Sequence, residues 1–317
     1  MTFHQNQKEF KEAIRAAAEY FGIREVLIEK DYWVSFVLKN LSQSEYKDWV
    51  VFKGGTALAK SYTFIARFSE DIDLALISKE KLGDAKRKSL FKNIENTLST
   101  GLEPVNHPDT LKKGRNRRTF YEYPKATNAS DYGILKEVIQ IEINSFTNPV
   151  PHSECKVNCL LYEFLNKKGF DEDIQKYGLD PVQLNVLSLE RSFAEKLLSC
   201  VRLSYEGIER LKTKIRHFYD LHMILSNYDI LNEKTKEIIK LARQDDENNP
   251  LFSGNWLNNK LIDSPLFQEI ESIWEELIPV YQREIPQLSW LNEIPSQEAI
   301  LKSMNQIKDF VSDFKNL

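Results

Sequence analysis

Two aspartates separated by one residue, Asp71 and Asp73, have the clearest chemical content in the sequence. Aliphatic residues alternate with them over 72–77, which predicts a β-strand whose side chains point to opposite faces in turn. Both carboxylates then lie on one face and repel each other unless a cation lies between them. A hard divalent ion takes carboxylate oxygens as ligands and leaves positions for water and phosphate oxygens. The spacing therefore predicts a metal-binding strand suited to phosphate chemistry.

A phosphate-binding turn is predicted shortly before the aspartates, at Lys53-Gly54-Gly55-Thr56. The preceding run, 49–52, is bulky and apolar, which predicts a buried strand. Two glycines let the backbone approach a ligand closely, and a helix that begins at Thr56 turns free N–H groups toward phosphates. Either motif alone has a plainer interpretation, a simple turn or a solvent-exposed strand edge. The two together, in this order, favour one phosphate-and-metal site.

Three polar residues lie directly before the aspartates. Arg67 is expected either to bind phosphate through both arms of its guanidinium or to pair with Glu70. Ser69 would lie beside the metal and the phosphates. Glu70 alternates with its neighbours Ser69 and Asp71, so we expect its side chain to face outward.

The sequence around these motifs resembles a known family. Phe52–Leu58 and Arg67–Leu74 are similar to the AbiEii/MenT nucleotidyltransferase toxins, which belong to the DNA polymerase β-like nucleotidyltransferase superfamily. The similarity extends to three further segments: Glu29–Val34, Phe193–Leu197 and Arg216–Leu221. It is most specific over the first motif.

The resemblance implies a fold, an activity and roles for individual residues. The fold is α/β (α+β), a nucleotidyltransferase-fold mixed sheet with flanking helices plus a mainly α-helical C-terminal domain. The activity is transfer of a nucleoside monophosphate from an NTP, with Mg²⁺ or Mn²⁺. Asp71 and Asp73 match the metal-binding pair, and Thr56 stands where the family has Ser or Thr. Lys196 matches a lysine assigned to the nucleotide, and Asp220 matches a later aspartate of the active site.

Three of the candidate residues have structural alternatives. Lys196 either reaches the triphosphate as a point charge or buries its stem on the surface of an apolar helix. Asp220 either pairs with Arg216 within one helix, or orients Lys196 or Arg216, or acts near the acceptor hydroxyl. The superfamily commonly has a third carboxylate on a neighbouring strand, as metal ligand or general base. Glu142 fits that place on a predicted strand over 138–146, with a solvated edge as the alternative.

The resemblance also implies partners. The family acts in type IV toxin–antitoxin or abortive-infection systems with a cognate antitoxin, and some members add nucleotides to the 3′ end of tRNA. It therefore favours an RNA acceptor, tRNA above all, with a block of translation. A basic stretch beside Phe120, Tyr121 and Tyr123 suits RNA phosphates and unstacked bases, or is a solvated loop. Its cations are Lys112, Lys113, Arg115, Arg117 and Arg118.

Two other functions stay open on the sequence alone. One is nucleotidylation of a small molecule, such as an aminoglycoside, or of a protein. The other is non-catalytic binding of a nucleotide or RNA, which the intact pair Asp71 and Asp73 argues against.

Length and composition set the broad class of the protein. The 317 residues, 42% hydrophobic and 28% charged, are typical of a folded protein with two domains. We expect a catalytic domain over 1–165 and a helical domain over 166–317 that contributes Lys196 and Asp220. The net charge of −4 excludes a globally basic surface for nucleic acid. Neither a signal peptide nor a membrane span is recognisable, so we expect a cytoplasmic protein with no membrane partner.

Hydrophobic periodicity predicts the elements that position these residues. In the first half, we expect helices over 6–22, 23–41, 56–64 and 79–100, and strands over 49–52, 72–77, 120–123 and 138–146. In the second half, helical signals dominate, and we expect helices over 187–206, 208–226, 232–243, 264–282 and 296–316. Three cysteines, an odd number, argue against a disulfide framework and favour reduced thiols.

Overall fold

The computed structural model describes residues 1–77, 82–128, 132–133, 135–249 and 254–314. The chain divides into two compact units. Unit 1 consists of Met1–Tyr62 and Phe68–Leu187, and unit 2 consists of Thr63–Arg67 and Ser188–Leu317. Unit 1 therefore continues past the boundary expected at 165, and a five-residue segment from the first half of the sequence belongs to unit 2.

Unit 1 contains one mixed sheet, to which eight strands contribute among the described residues. The strands are β1 (Val50–Lys53), β2 (Ile72–Leu76), β3 (Glu103–Val105), β4 (Leu111–Lys112), β5 (Asn116–Glu122), β6 (Ile139–Asn144), β7 (His152–Val157) and β8 (Val182–Leu187). Their spatial order is β3-β5-β6-β2-β1-β8-β7, and β4 pairs with β5. The β2–β6 and β1–β8 pairs are parallel, and the other pairs are antiparallel.

Six helices accompany the sheet in the described part of unit 1. They are α1 (Gln7–Phe21), α2 (Glu25–Ser42), α3 (Gly54–Ser61), α4 (Asp84–Leu98), α5 (Leu160–Lys168) and α6 (Asp171–Tyr177). The longest, α2, contacts β6 and β8 and is buried on nearly every side, including its charged residues Glu29, Lys30 and Asp31. The core beside it is aromatic, with Phe10, Tyr32, Trp33, Phe52 and Phe120 buried.

Unit 2 is helical throughout its described residues. Its helices are α7 (Leu189–Ser204), α8 (Ile208–Lys212), α9 (Ile215–Asn227), α10 (Glu233–Glu247), α11 (Pro265–Gln268), α12 (Ile270–Leu288) and α13 (Gln297–Ser312). Short 3-10 helices cover Phe3–Gln5 and Lys47–Trp49 in unit 1, and Thr63–Ile65, Asn255–Asn258 and Leu261–Asp263 in unit 2. Helices α7, α9, α12 and α13 pack on one another around an apolar centre.

The predicted mixed α/β architecture is confirmed, with corrections to single elements. The helix expected over 208–226 is interrupted between α8 and α9, and the one expected over 264–282 is interrupted at Glu269. The helix expected over 79–100 is present as α4 from Asp84, while residues 79–81 lie outside the described residues. Among the helices that the structure describes, none is both long and apolar enough to cross a membrane.

Candidate active site

A row of four charged residues crosses the middle of the sheet. Lys53 on β1 pairs in register with Asp73 on β2, and Asp73 pairs with Glu142 on β6. Glu142 in turn pairs with Arg118 on β5. Residues in register on neighbouring strands project from the same face of a sheet, so the signs alternate along this row. Glu142 thus lies on the strand next to the one that carries Asp73.

Glycine at position 54 allows α3 to begin directly beside the Asp73 carboxylate. Gly54 has a φ of +81°, and a Cβ built on it would overlap Oδ2 of Asp73. Only glycine fits both the backbone angle and the contact. The helix therefore begins at Gly54 rather than at Thr56, and its N-terminus, the positive end of the helix dipole, lies against the carboxylate.

Thr56 and Ser69 connect α3 to the segment that leads into β2. The Thr56 hydroxyl is buried and donates to the Ser69 hydroxyl at 3.0 Å. This hydrogen bond fixes Ser69 two residues before Asp71. The two hydroxyls therefore have a structural role in placing the aspartates, whatever they bind in addition.

Asp71 forms an ion pair with a lysine that no sequence motif had indicated. The Lys136 ammonium lies 2.9 Å from Asp71 Oδ1 and donates to Gln140 Oε1 at 2.7 Å. The backbone N–H of Lys136 donates to Glu70 at 3.2 Å, and its carbonyl accepts from the Lys30 ammonium. The side chains of Lys136 and Asp71 are partly exposed, with 37% and 31% of their surface accessible.

Glu70 is buried, so the expectation that it faces outward is wrong. Its carboxylate pairs with Lys30 of α2, which is fully buried. The alternation of side chains along a strand does not extend to Glu70, because β2 begins only at Ile72. Burial lowers the pKa of Lys30 below its ordinary value, although Glu70 and Asp71 oppose that shift. Arg67 forms a buried ion pair with Asp220.

The neighbours of Lys30 on α2 hold two other segments. The Glu29 carboxylate accepts hydrogen bonds from the backbone of Ala126 and from both the backbone and the hydroxyl of Thr127. Asp31 pairs with Lys60 of α3 at 2.6 Å and accepts from the backbone N–H at position 160 at 2.7 Å. Three consecutive buried charges thus tie α2 to the surroundings of the aspartate pair.

The carboxylates of Asp71, just before β2, and Asp73, on β2, are the type of ligand that a hard divalent cation takes. Within the described residues, no group of three or more His, Cys, Asp or Glu side chains could hold a metal. Glu142 is instead ion-paired with Arg118 at 2.7 Å. Burial alone would lower the pKa of Arg118, but Glu142 and Asp73 raise it above its ordinary value. Mg²⁺ commonly uses only one or two protein carboxylates and fills its other positions with phosphate oxygens and water.

In unit 2, Arg67, Lys196 and Asp220 form a buried cluster. The Arg67 guanidinium donates through Nε and Nη2 to the two Asp220 oxygens, at 2.6 and 2.7 Å. The Lys196 ammonium lies 2.7 Å from Asp220 Oδ2. Burial would raise the pKa of Asp220, but the two cations hold it well below its usual value. One buried carboxylate is therefore shared by two cations, Arg67 and Lys196.

The segment that carries Arg67 is held by the helices of unit 2. The Tyr219 hydroxyl donates to the Ile65 carbonyl at 2.8 Å. The Ala66 carbonyl accepts from the Ser289 hydroxyl and from the backbone N–H of Trp290. Ala66 has a positive φ of 43°, an unusual conformation for alanine that these contacts impose.

A histidine that the sequence had not singled out lies close to this cluster. Nδ1 of His217 is buried and has no hydrogen-bond partner among the described residues. Burial, followed by the charges of Lys196 and Lys214, lowers the pKa of His217 well below its ordinary value. The imidazole is therefore neutral at physiological pH.

The basic stretch predicted to contact RNA is a hairpin of β4 and β5 whose cations have different surroundings. Arg117 pairs with buried Glu95, and Arg118 pairs with Glu142. The neighbouring aromatic side chains, Phe120, Tyr121 and Tyr123, are buried and offer no stacking surface to bases. The cations that remain exposed are Lys112, Lys113 and Arg115.

The three cysteines are free thiols, and the two buried ones are not activated. Burial raises the pKa of the Cys159 and Cys200 thiols to about 12. Neither thiol is ionised at neutral pH, which argues against a role as nucleophile or metal ligand.

The sequence profile of one known family matches most of the chain. The family is described as nucleotidyl transferase AbiEii toxin, type IV TA system, and the match covers residues 37–303. The chain belongs to this family. It is a nucleotidyltransferase toxin of a type IV toxin–antitoxin system, and the resemblance found in its motifs is confirmed.

A solved structure supports the fold assignment of this AbiEii-family toxin. MenT4, a nucleotidyltransferase toxin from Mycobacterium tuberculosis H37Rv, matches with a TM-score of 0.53 and 16% sequence identity. The match covers 95% of this chain and 90% of MenT4. At this identity the similarity concerns the fold alone. No curated protein matches the sequence significantly.

Proposed function

We propose that this AbiEii-family toxin transfers a nucleoside monophosphate from an NTP to a hydroxyl of an RNA acceptor, the tRNA 3′ end above all. The observation that carries the proposal is the contact between Gly54, at the N-terminus of α3, and the Asp73 carboxylate. A helix N-terminus binds phosphate, and paired carboxylates bind the cation that accompanies a triphosphate. The two lie together here, which suits nucleotidyl transfer.

The proposed roles follow from the position of each residue. Asp71 and Asp73 would hold Mg²⁺ or Mn²⁺, which supplies charge stabilisation for the leaving pyrophosphate when bound. The backbone N–H groups of Gly54, Gly55 and Thr56 are at the start of α3, where helical N–H groups have no intrahelical partner and can donate to phosphate oxygens. This arrangement orients the α-phosphate for attack by the acceptor hydroxyl.

Glu142 is our candidate for the base that takes the proton of the acceptor hydroxyl. It lies in register with Asp73, and Arg118 fixes its orientation through the 2.7 Å ion pair. A carboxylate held beside the metal ligands can accept a proton as the hydroxyl attacks. Glu142→Gln keeps the shape and removes the base, so it should lower the transfer rate more than the affinity for NTP.

Lys196 is proposed to bind the triphosphate, and Asp220 is proposed to position it. The proposal rests on the family motifs that contain both residues and on the ion pair that holds the Lys196 ammonium at Asp220. A lysine whose counter-ion is shared with an arginine retains attraction for an anion. Lys196→Met should therefore raise the KM for NTP.

The acceptor is proposed to bind a basic surface formed by α4 and the β4–β5 hairpin. The Gly114 carbonyl of the hairpin accepts a hydrogen bond from Arg87 Nε of α4 at 2.6 Å, so the two elements are adjacent. Their exposed cations are Lys86, Lys88, Lys92, Lys112, Lys113 and Arg115. In a protein with a net charge of −4, such a local concentration of cations suits a polyanion such as RNA.

Transfer to RNA is tested with purified protein, total tRNA, Mg²⁺ and each labelled NTP in turn. We expect label in tRNA with the wild type, and a loss on the order of 10²-fold or more with Asp73→Asn. Asp171→Asn, which changes an exposed carboxylate on α6, is the control and should transfer like the wild type. Label on a protein or small molecule instead of RNA would contradict the RNA acceptor but retain nucleotidyl transfer.

The acceptor surface is tested separately through the salt dependence of RNA binding. Lys112→Gln, Lys113→Gln and Arg115→Gln are combined in one variant. If all three side chains contact phosphates of single-stranded RNA, the slope of log K against log salt should become shallower by about 2. Lys8→Gln, Lys11→Gln and Arg15→Gln on α1 remove the same charge elsewhere in unit 1 and should leave the slope unchanged. Equal slopes in both variants would contradict the proposal that RNA binds to this surface.

A further inference from the structure

The ammonium of Lys136 binds the very carboxylate that is proposed to hold the metal. It lies 2.9 Å from Asp71 Oδ1, and Gln140 holds it from a second direction at 2.7 Å. Lys136 stands in the loop before β6 and belongs to none of the motifs that indicate the family. No function considered so far uses it.

The position of Lys136 is fixed by buried groups, whereas its side chain can move. Lys30 and Glu70, an ion pair inside unit 1, hold the carbonyl and the N–H of Lys136 respectively. The backbone is thus anchored next to Asp71. The side chain is 37% exposed and has a flexible four-carbon stem, so the ammonium can change partners without disturbing the backbone.

A divalent cation and the Lys136 ammonium compete for Asp71, because both are cations and need the same oxygen. A triphosphate changes this competition, since its oxygens offer the ammonium another anionic partner. We propose that Lys136 is an internal counter-ion of Asp71 that the triphosphate draws away, so that metal and NTP bind cooperatively. This inference rests on the proposed metal-dependent transfer. It adds that the protein binds the metal weakly when NTP is absent and more tightly when NTP is present.

Coupling between metal and nucleotide binding through Lys136 changes the measured metal affinity, whereas a surface ion pair without function does not. If Lys136 opposes the metal, its removal must strengthen metal binding in the absence of nucleotide. It must also reduce the factor by which nucleotide increases the metal affinity, because the triphosphate then has no ammonium to draw away from Asp71. A partly exposed pair contributes little energy, so we expect a change of about two- to fivefold in the metal Kd.

The test is titration of the full chain with Mn²⁺, with bound ion followed by electron paramagnetic resonance, which requires no catalysis. Wild type, Lys136→Met and Lys136→Gln are compared without nucleotide and with each of the four α,β-methylene NTPs, which cannot be cleaved at that bond. Lys125→Met is the matched control, because Lys125 lies in the same loop and pairs with Glu137 instead. Both Lys136 variants keep the backbone hydrogen bonds, and thermal unfolding verifies that they fold.

We expect the Lys136 variants to bind Mn²⁺ more tightly without nucleotide and to gain less from the analogue, with Lys125→Met behaving like the wild type. Metal affinities that are unchanged or weaker in the Lys136 variants would overturn the inference and leave the metal site intact. Wild type and variants that all fail to bind Mn²⁺, even with the analogues, would overturn the proposed metal-dependent function and this inference with it.

Discussion

At the scale of single residues, the contact of Gly54 with Asp73 predicts that Gly54→Ala impairs both stability and function. Gly54→Ala requires a φ near +81° from a residue with a side chain, and its methyl group would displace the carboxylate. We expect a loss of about 1–3 kcal/mol in the free energy of unfolding, measured with urea. We also expect loss of Mn²⁺ binding and of nucleotide transfer, because Asp73 moves.

Gly22 provides the matched control for this substitution. It ends α1 with a φ of +66°, and a Cβ built there has no atom within 4 Å. Gly22→Ala therefore carries the backbone cost, about 1–2 kcal/mol, without a collision. If Gly54→Ala retains metal binding and transfer at the level of Gly22→Ala, the close approach to Asp73 has no functional importance.

Asp220 is a second residue whose removal has a large expected effect. Asp220→Asn would remove the carboxylate charge that the buried Arg67 and Lys196 share, and breaking such a cluster costs about 3–5 kcal/mol. Asp84→Asn is the control, because 81% of the Asp84 side chain is accessible in its pair with Arg87, and the substitution should change stability by less than about 1 kcal/mol. Urea unfolding measures the free energy of unfolding of both variants. Equal losses of stability would contradict the claim that the burial of Asp220 makes its charge important.

The pKa shifts of Asp220 and His217 act in separate pH ranges. The pKa of Asp220 is depressed in the folded state, so its contribution is complete above the unfolded pKa, about 3.9, and is lost only at lower pH. The pKa of His217 is also depressed, so the unfolded chain takes up a proton first as the pH falls below 6.5. Stability should therefore decline from pH 7 toward pH 5 because of His217 and not of Asp220.

His217→Leu tests this assignment. The slope of the unfolding free energy between pH 7 and pH 5 should become shallower, by at most about 1.4 kcal/mol per pH unit. A residual slope of the same sign is expected, because burial also lowers the pKa of His4 and His222. An identical slope in wild type and variant would show that His217 is not the titrating group.

At the scale of elements, α2 works as the scaffold of the site. Its buried charges hold the loop at 126–127, the segment before β2 and α3. Lys30→Met leaves Glu70 buried without a cation, so we expect a loss of about 3–5 kcal/mol. Replacing both, Lys30→Met with Glu70→Met, should recover part of that loss, because a buried apolar pair needs no counter-charge.

An exposed pair gives the reference for this double-mutant cycle. Arg210 and Glu206 form an ion pair with 60% and 46% of their side chains accessible. Arg210→Met and the double variant with Glu206→Met should each stay within about 1 kcal/mol of the wild type. A coupling between Lys30 and Glu70 no larger than this reference would contradict the scaffold role of their pair.

Elements with a clear periodic pattern could be predicted from the sequence, and elements defined by distant contacts could not. Helix α1 shows apolar spacing and a terminal Gly22, and Asp71 and Asp73 alternate with aliphatic residues where β2 begins. Strand β7 was missed because it is an edge strand with mostly accessible side chains and therefore no apolar alternation. Lys136 was missed for the same kind of reason, since only the folded loop brings it to Asp71.

At the scale of the whole molecule, the sequence divides into units in a way that composition does not reveal. Thr63–Arg67 belongs to unit 2, although the residues on both sides of it belong to unit 1. Its membership depends on tertiary contacts of Ile65, Ala66 and Arg67 with Tyr219, Ser289 and Asp220. Five residues carry no local signal of this kind, so a single boundary was the only division that the sequence could indicate.

This discontinuity makes the stability of unit 2 depend on a residue that lies far away in the sequence. A fragment of residues 188–317 retains Lys196 and Asp220 but lacks Arg67. In the full chain, Lys196→Met with Asp220→Leu should destabilise by about 3–5 kcal/mol, because it removes the carboxylate that binds the buried Arg67 guanidinium through two hydrogen bonds. In the fragment, the same double substitution replaces a buried ion pair with apolar side chains, which is neutral or stabilising by about 1–4 kcal/mol.

The sign of the effect therefore depends on whether Arg67 is present. Urea unfolding followed by the helical circular dichroism signal measures it in both contexts, and if the fragment is partly unfolded the double variant should raise its helix content. Arg67→Met in the full chain should shift the double substitution toward the fragment's behaviour. The same sign in chain and fragment would mean that Arg67 is not the group that makes Asp220 necessary, and that Thr63–Arg67 contributes to unit 2 through its backbone contacts alone.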